Sequence, residues 1–262
     1  MKRRDLLKGL PSALLGARAV GVAAATASSS AARAIGPRSE VGIGRVKHAG
    51  TWDTRPEALR RLLWEAGKRT SINVARDATV VSLDPSAPES AELFWQPLLV
   101  ITGEGDMPAF DPRARARLER HLRFGGTLVV DAPSAADPFF AAAKREIAAV
   151  LPASTVRPLD ADHVVYKSFF LLDEAVGRLK DDKHLYGVDV GGRAAVILST
   201  NDLLGALERD RFGTWRFDCE PDGDSQREMA FRLATNILMY ATCLDYKADQ
   251  VHIPFIMQKK RH

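Results

Sequence analysis

Two short runs constrain this chain more than any other feature: Pro97-Leu98-Leu99-Val100-Ile101-Thr102 and Thr127-Leu128-Val129-Val130. Neither alternates apolar with polar residues; the first is closed by Gly103, and the second lies between Gly126 and Asp131. Each therefore reads as a strand buried on both faces, the kind found inside a parallel sheet. Parallel strands need long crossovers between them. Asp111-Pro112 opens a helix that ends at Gly125-Gly126, and Asp137-Pro138 opens another that runs to about Leu151. Asp is a favoured helix cap, and proline fits the first helical position because its missing N–H would be unsatisfied there anyway. Earlier, Val41 to Lys47 reads as a first strand. Thr54 and Glu57 have the spacing of a capping box for a helix to about Lys68, and Ala78 to Leu83 reads as a second strand. The alternation predicts an α/β fold with a mostly parallel sheet in which 97–102 and 127–131 are adjacent.

The second half is less regular. His163 to Leu172 is rich in aromatic residues and reads as extended, while Leu185–Val190 and Arg193–Thr200 form a hairpin turning at Gly191-Gly192. Ser225 and Glu228 again have capping-box spacing, ahead of a long helix through Met229, Leu233, Ile237, Tyr240 and Leu244. Val251 to Met257 alternates apolar residues, but Pro254 limits it to an edge strand or a docked tail.

The amino terminus has a different character. Arg3-Arg4-Asp5-Leu6-Leu7-Lys8 matches the twin-arginine export pattern; a weakly apolar Ala/Gly stretch and a small-residue site, Ala32-Arg33-Ala34, follow it. Arg18 lies inside the apolar stretch, and a central arginine costs roughly 2.5–3.5 kcal/mol on insertion, so no stable membrane span is expected once the signal is cleaved. The expected organisation is a signal peptide over 1–34, an α/β domain over 35–249 and an extended tail over 250–262, with the periplasm or the medium as destination. Residues 1–34 hold six Lys/Arg and one acid; the rest of the chain has 31 basic and 32 acidic residues, about −1 in net charge. The overall excess of +4 is thus a property of the export segment and gives no support for nucleic-acid binding. Cys219 and Cys243 are too few for a disulfide framework and have no zinc-site spacing, and either a single bond or two buried thiols fits them.

In their order, Pro97–Gly103, Leu122–Asp131, Val165-Tyr166-Lys167-Ser168-Phe169-Phe170-Leu171-Leu172, Gly192–Ile197, Asn201-Asp202 and Asn236 resemble the class I glutamine amidotransferase-like superfamily. Within it, they resemble the bacterial branch known as domain of unknown function 4159, across roughly residues 40–246. The resemblance implies a flavodoxin-like three-layer sandwich and no established activity. Amidotransferases of that superfamily carry a cysteine nucleophile on a tight turn after the strand corresponding to Thr127–Val130, whereas this chain has Asp131-Ala132-Pro133. Glutamine hydrolysis by a thiolate is therefore not expected.

In open α/β sheets ligands bind beyond the carboxyl ends of the strands. That rule selects His48 after the first strand, Glu104 and Asp106 after the central one, Asp131 and Ser134 after the next, and Asn201 and Asp202 after the strand from Arg193. Together they are the candidate ligand-binding crevice, and Glu104, Asp131 and Asn201 are expected to share one opening. For each residue a local role, such as ending a strand or capping a helix, competes with the ligand-binding one. No cofactor or metal is indicated: Gly42-x-Gly44 lacks the dinucleotide fingerprint, and His163 and His184 have no partners at ligand spacing. The expected function is an exported, non-catalytic binding or assembly domain of the cell envelope, meeting a protein partner or a second copy through the tail. The alternative is an envelope hydrolase that uses Glu104 or Asp131.

Overall fold

The computed structural model describes residues 40–242. Segment 1–34, with Arg3 and Arg4, and the tail 250–262, as well as Cys243, lie outside the described residues. The fold is α/β, with a seven-stranded sheet in the order β2-β1-β3-β4-β7-β6-β5. The strands are β1 (Ile43–Lys47), β2 (Thr79–Ser82), β3 (Leu98–Thr102), β4 (Thr127–Asp131), β5 (Arg157–Pro158), β6 (Tyr186–Val190) and β7 (Arg193–Ser199). β2, β1, β3, β4 and β7 are mutually parallel, while β6 runs antiparallel to β7 and β5 antiparallel to β6. As expected, 97–102 and 127–131 pair directly, from Leu98 opposite Thr127 to Thr102 opposite Asp131.

Burial explains why those runs carry no polar alternation. Every residue of β3, β4 and β7 is buried, and successive residues serve opposite faces. Leu98, Val100, Val129 and Ile197 join one apolar cluster with helices α1 (Ala58–Arg69) and α4 (Gly223–Thr242). Leu99, Ile101, Leu128, Val130 and Leu198 join the other, with α2 (Pro112–Arg123) and α3 (Pro138–Val150). The β6–β7 hairpin turns through Gly191 and Gly192 at φ 62° and 80°. Both lie in the left-handed region that a tight two-residue turn requires and that only glycine enters without a steric cost.

The two Asp-Pro helix starts form as expected. The Asp111 carboxylate accepts the Arg113 N–H (2.7 Å), and that of Asp137 accepts the Phe139 N–H (2.9 Å). The two capping boxes do not form. α1 begins at Ala58, and its cap residue Glu57 makes no side-chain bond of that type. α4 begins at Gly223, the Ser225 hydroxyl donates to the Asp222 carbonyl, and Glu228 is engaged by Arg69 and Arg232. In both places long-range charged partners outcompete the local pair. The reading of 163–172 as extended is also corrected. That segment holds a single turn of 3-10 helix, Val164–Tyr166, and Asn236 of α4 accepts the N–H groups of Phe169 (3.1 Å) and Phe170 (2.7 Å). Tyr166 fills the core beside α4 and Phe170 packs partly against it, while Phe169 is exposed; none of them pairs with a strand.

Candidate functional site at the strand carboxyl ends

Because β1, β3, β4 and β7 are parallel, their carboxyl ends fall on one rim, where Thr102, Asp131 and Ser199 stand side by side in register. The chain after β7 is tied to β4 by the Asp202 N–H donating to the Ala132 carbonyl (3.1 Å). Asp202 is the only described non-glycine residue at positive φ, 51°, a conformation that Asp tolerates better than most residues.

The centre of the rim is a charged network. The Asp202 carboxylate is gripped side-on by Arg55, whose Nε and Nη2 lie 3.0 Å from its two oxygens, and by Arg178 Nε at 2.6 Å; it also accepts the Gly205 N–H. Arg55 Nη1 donates to Glu104 (2.8 Å) and to the Thr54 carbonyl (2.9 Å), and its guanidinium lies 4.6 Å from the centre of the Phe217 ring. Two-point arginine–carboxylate pairing is among the strongest side-chain contacts. Burial alone would lower the Arg55 pKa, but the hydrogen bonds and charges of Asp202 and Glu104 outweigh it and raise the pKa.

The sequence-selected residues divide by exposure. Glu104 (49% exposed) and Asp106 (75%) face solvent, and Ser134 is half-buried. Asp131 is buried, and its two oxygens accept the N–H groups of Leu203 (2.9 Å) and Leu204 (2.7 Å). Burial pushes its pKa up and the Asp202 charge adds to that, while those amides and the Ser199 hydroxyl act in the opposite sense. Asn201 is also buried. Its oxygen accepts the amides of Asp181 and Asp182, and its amide group donates to the carbonyls of Ala175 and Asp182. Glu104, Asp131 and Asn201 therefore share the rim but not an opening to solvent. His48 accepts the Gly50 N–H at Nδ1 (3.1 Å), so Nε2 carries the proton given to the Thr102 carbonyl (2.9 Å). Burial lowers its pKa, in keeping with a neutral ring whose two nitrogens are both used.

Glu208 is a further buried acid at this end. Its carboxylate accepts the backbone N–H groups of Glu57 and Ala58, capping α1 from a distant part of the chain. Burial pushes its pKa up to about 7, against the opposing effects of those amides and of Arg216 and Arg55. A folded-state pKa above the unfolded value means that protonation favours the fold. The resulting stability is complete below the unfolded pKa of 4.5 and is lost as pH rises to about 7. Between about pH 5 and about pH 8 the Glu208 contribution to the urea midpoint is expected to fall, while buried His121, whose pKa burial lowers to about 4, works in the opposite sense. Glu208→Gln should flatten that slope by up to about 3 kcal/mol. An unchanged slope in the variant would show that Glu208 is not its source.

A family model described as a domain of unknown function, DUF4159, matches residues 42–242, more than half of the chain. The chain belongs to the DUF4159 family. No curated protein matches it. The match spans the whole DUF4159 sheet and all four of its described helices.

Sequence reading missed Arg55, Arg178, Glu208 and Phe217, the residues that join the DUF4159 rim together. Arg55 follows the first strand, as His48 does. Applying the strand-end rule to cations as well as to acids selects it. Nothing local marks Arg178 or Glu208, whose roles come from partners far away in the chain. Among the described residues, no cluster of three or more His, Cys, Asp or Glu side chains is arranged to hold a metal ion.

Proposed function

We propose that this DUF4159 protein is an exported, non-catalytic binding or assembly domain of the bacterial cell envelope, built as a glutamine amidotransferase-like, flavodoxin-like three-layer sandwich. The order of its parallel strands, with β7 in the fifth place, supports the flavodoxin-like reading, since that class runs 2-1-3-4-5. The separate apolar clusters on the two sheet faces support the three layers.

The observation that carries the binding reading is how the acids at the rim are used. Asp131, at the end of the strand where amidotransferases turn into their nucleophile, holds backbone amides, and Asp202 holds two arginines. Groups so engaged shape a surface and are not free to move protons on a substrate. The buried Cys219 has its pKa pushed up by desolvation, the opposite of an activated thiol. Ligand contact is assigned to the accessible side of the rim, at Glu104, Asp106 and Ser134, with His48, Asp131, Asn201 and Asp202 shaping it. Arg3 and Arg4 direct export, segment 1–34 is removed, and the alternating tail 250–262 adds to a sheet edge of a partner or of a second copy. No helix among the described residues is long and apolar enough to cross a membrane.

The competing hydrolase reading draws on the raised pKa of Asp131, since perturbed groups gather at functional sites. Fractionation and co-purification separate the two. The full chain is expected in the periplasm with a bound partner or as an oligomer. Arg3→Lys/Arg4→Lys should stay in the cytoplasm, and deletion of 250–262 should release the partner or the second copy. A partner profile untouched by that deletion, together with hydrolytic turnover abolished in Asp131→Asn, would replace this proposal with the enzyme.

A further inference from the structure

The opposite end of the sheet carries a surface that the proposed function does not use. Phe94 and Trp95, 45% and 43% exposed, end a 3-10 helix (Pro88–Trp95) two residues ahead of β3. Phe124, 80% exposed, follows the last residue of α2 just ahead of β4. All three rings thus lie near the strand amino ends. The guanidinium of Arg120 lies between two of them, 5.7 Å from the Phe94 ring and 5.8 Å from that of Phe124, and the guanidinium of Arg117 lies 5.1 Å from Phe94. Arg117, Arg120 and Phe124 recur at helical spacing, so they project from one side of α2.

The charges of this strip are not neutralised from within. Arg117 donates to the Ser90 carbonyl (2.8 Å), and among the described residues neither it nor Arg120 pairs with a carboxylate. The one acid in the last two turns of α2, Glu119, is taken by Arg123 (2.9 Å); Glu92, on the segment before β3, is half-buried. This local excess occurs in a chain whose residues beyond 34 are about −1 overall, so it is not a by-product of a basic protein.

We infer that the strip formed by Phe94, Trp95, Phe124, Arg117 and Arg120 docks the domain on an anionic phospholipid surface. Aromatic rings with cations beside them match the membrane interface: the rings enter the headgroup level while the guanidinium groups meet lipid phosphate. The absence of acids on the strip favours a uniformly negative surface over a protein interface, where charges of both signs are normally matched. The strand carboxyl ends, at the far end of the same sheet, then face away from the bilayer. This inference rests on the strip alone and stands whether or not the rim binds a ligand.

The test uses the full chain in every arm, so that segment 1–34 contributes equally. Co-sedimentation with phosphatidylglycerol-containing vesicles is expected to exceed that with pure phosphatidylcholine vesicles and to weaken as salt rises. Arg117→Ser/Arg120→Ser should weaken partitioning roughly thirtyfold; because Arg117 is half-buried and holds the Ser90 carbonyl, the exposed Arg120→Ser alone, with circular dichroism unchanged, should show part of that loss. Phe94→Ser/Phe124→Ser should weaken it as well. Brominated lipid should quench tryptophan fluorescence, and Trp95→Phe should remove part of that quenching. Equal partitioning of wild type and both double variants would overturn the proposal. So would loss of a protein partner in the arginine variant without any change in vesicle binding.

Discussion

Asp202→Ala is expected to lose about 3–5 kcal/mol of stability, the range seen when one member of a buried ion pair is removed. The reason lies in what remains behind. Arg55 is only 7% exposed and keeps Glu104 as its sole carboxylate partner, and Arg178 loses the oxygen 2.6 Å away. The Gly205 amide loses its acceptor, and alanine must hold a φ of 51°, which it tolerates less well than aspartate. A domain of this kind has a total of about 5–15 kcal/mol to lose, so the variant should be poorly folded at physiological temperature. Urea titration checks this: the midpoint should fall sharply while the slope is kept. Asp202→Asn should fall between, since Asn accepts left-handed backbone and one arginine bond but brings no charge. A loss below about 1 kcal/mol in Asp202→Ala would mean that Arg55 finds water and that the network is peripheral.

Asn201→Ala should cost about 2–3 kcal/mol and loosen one segment before the rest. The Asn201 side chain joins four backbone groups of the stretch from Ala175 to Asp182, at 2.6 to 3.3 Å. Truncation leaves them without these partners, the Ala175 carbonyl in a buried place and the Asp181 and Asp182 groups in partly buried ones. Hydrogen exchange should therefore speed up at the amides of Asp181 and Asp182 before the sheet is affected. Asn201→Asp restores the acceptor but not the donors, so it should rescue those amides only in part. If Asn201 serves chiefly to meet a ligand, the alanine variant will keep wild-type stability and exchange. That outcome would sink the structural role given to it here.

The parts of this fold that could be read in the sequence were those decided by neighbours in the chain. Buried strands announce themselves because both faces of β3 and β4 need apolar residues. Asp111 and Asp137 cap helices because their oxygens reach amides two residues on. The signals that misled were equally local, but they were overruled. Glu57 and Glu228 sit at capping-box spacing, yet the amide of Glu57 is met by Glu208, and Glu228 is met by Arg69 and Arg232. The aromatic stretch 163–172 was misread because apolar density alone does not distinguish a strand from a loop packed under a helix. At the rim, the strand-end rule located the right neighbourhood and most of its acids. It could not tell that Asp131 and Asn201 turn toward backbone. The sequence around each does not contain its partners, because Leu203 and Leu204 reach Asp131 from the segment that follows the neighbouring strand β7.

The bonds that complete α1 span nearly the full domain. Arg55 meets Asp202 across 147 positions, Glu57 meets Glu208 across 151, and Arg69 meets Glu228 across 159. A ribosome releases the chain from its amino end, so α1 and its strands emerge long before the residues that close their ends. The first half has a sheet nucleus but no finished exterior until α4 arrives, and contacts of such long range are slow to form. Truncating the chain before Asp202 would not yield a smaller stable unit. The domain becomes a closed object only when synthesis is nearly complete.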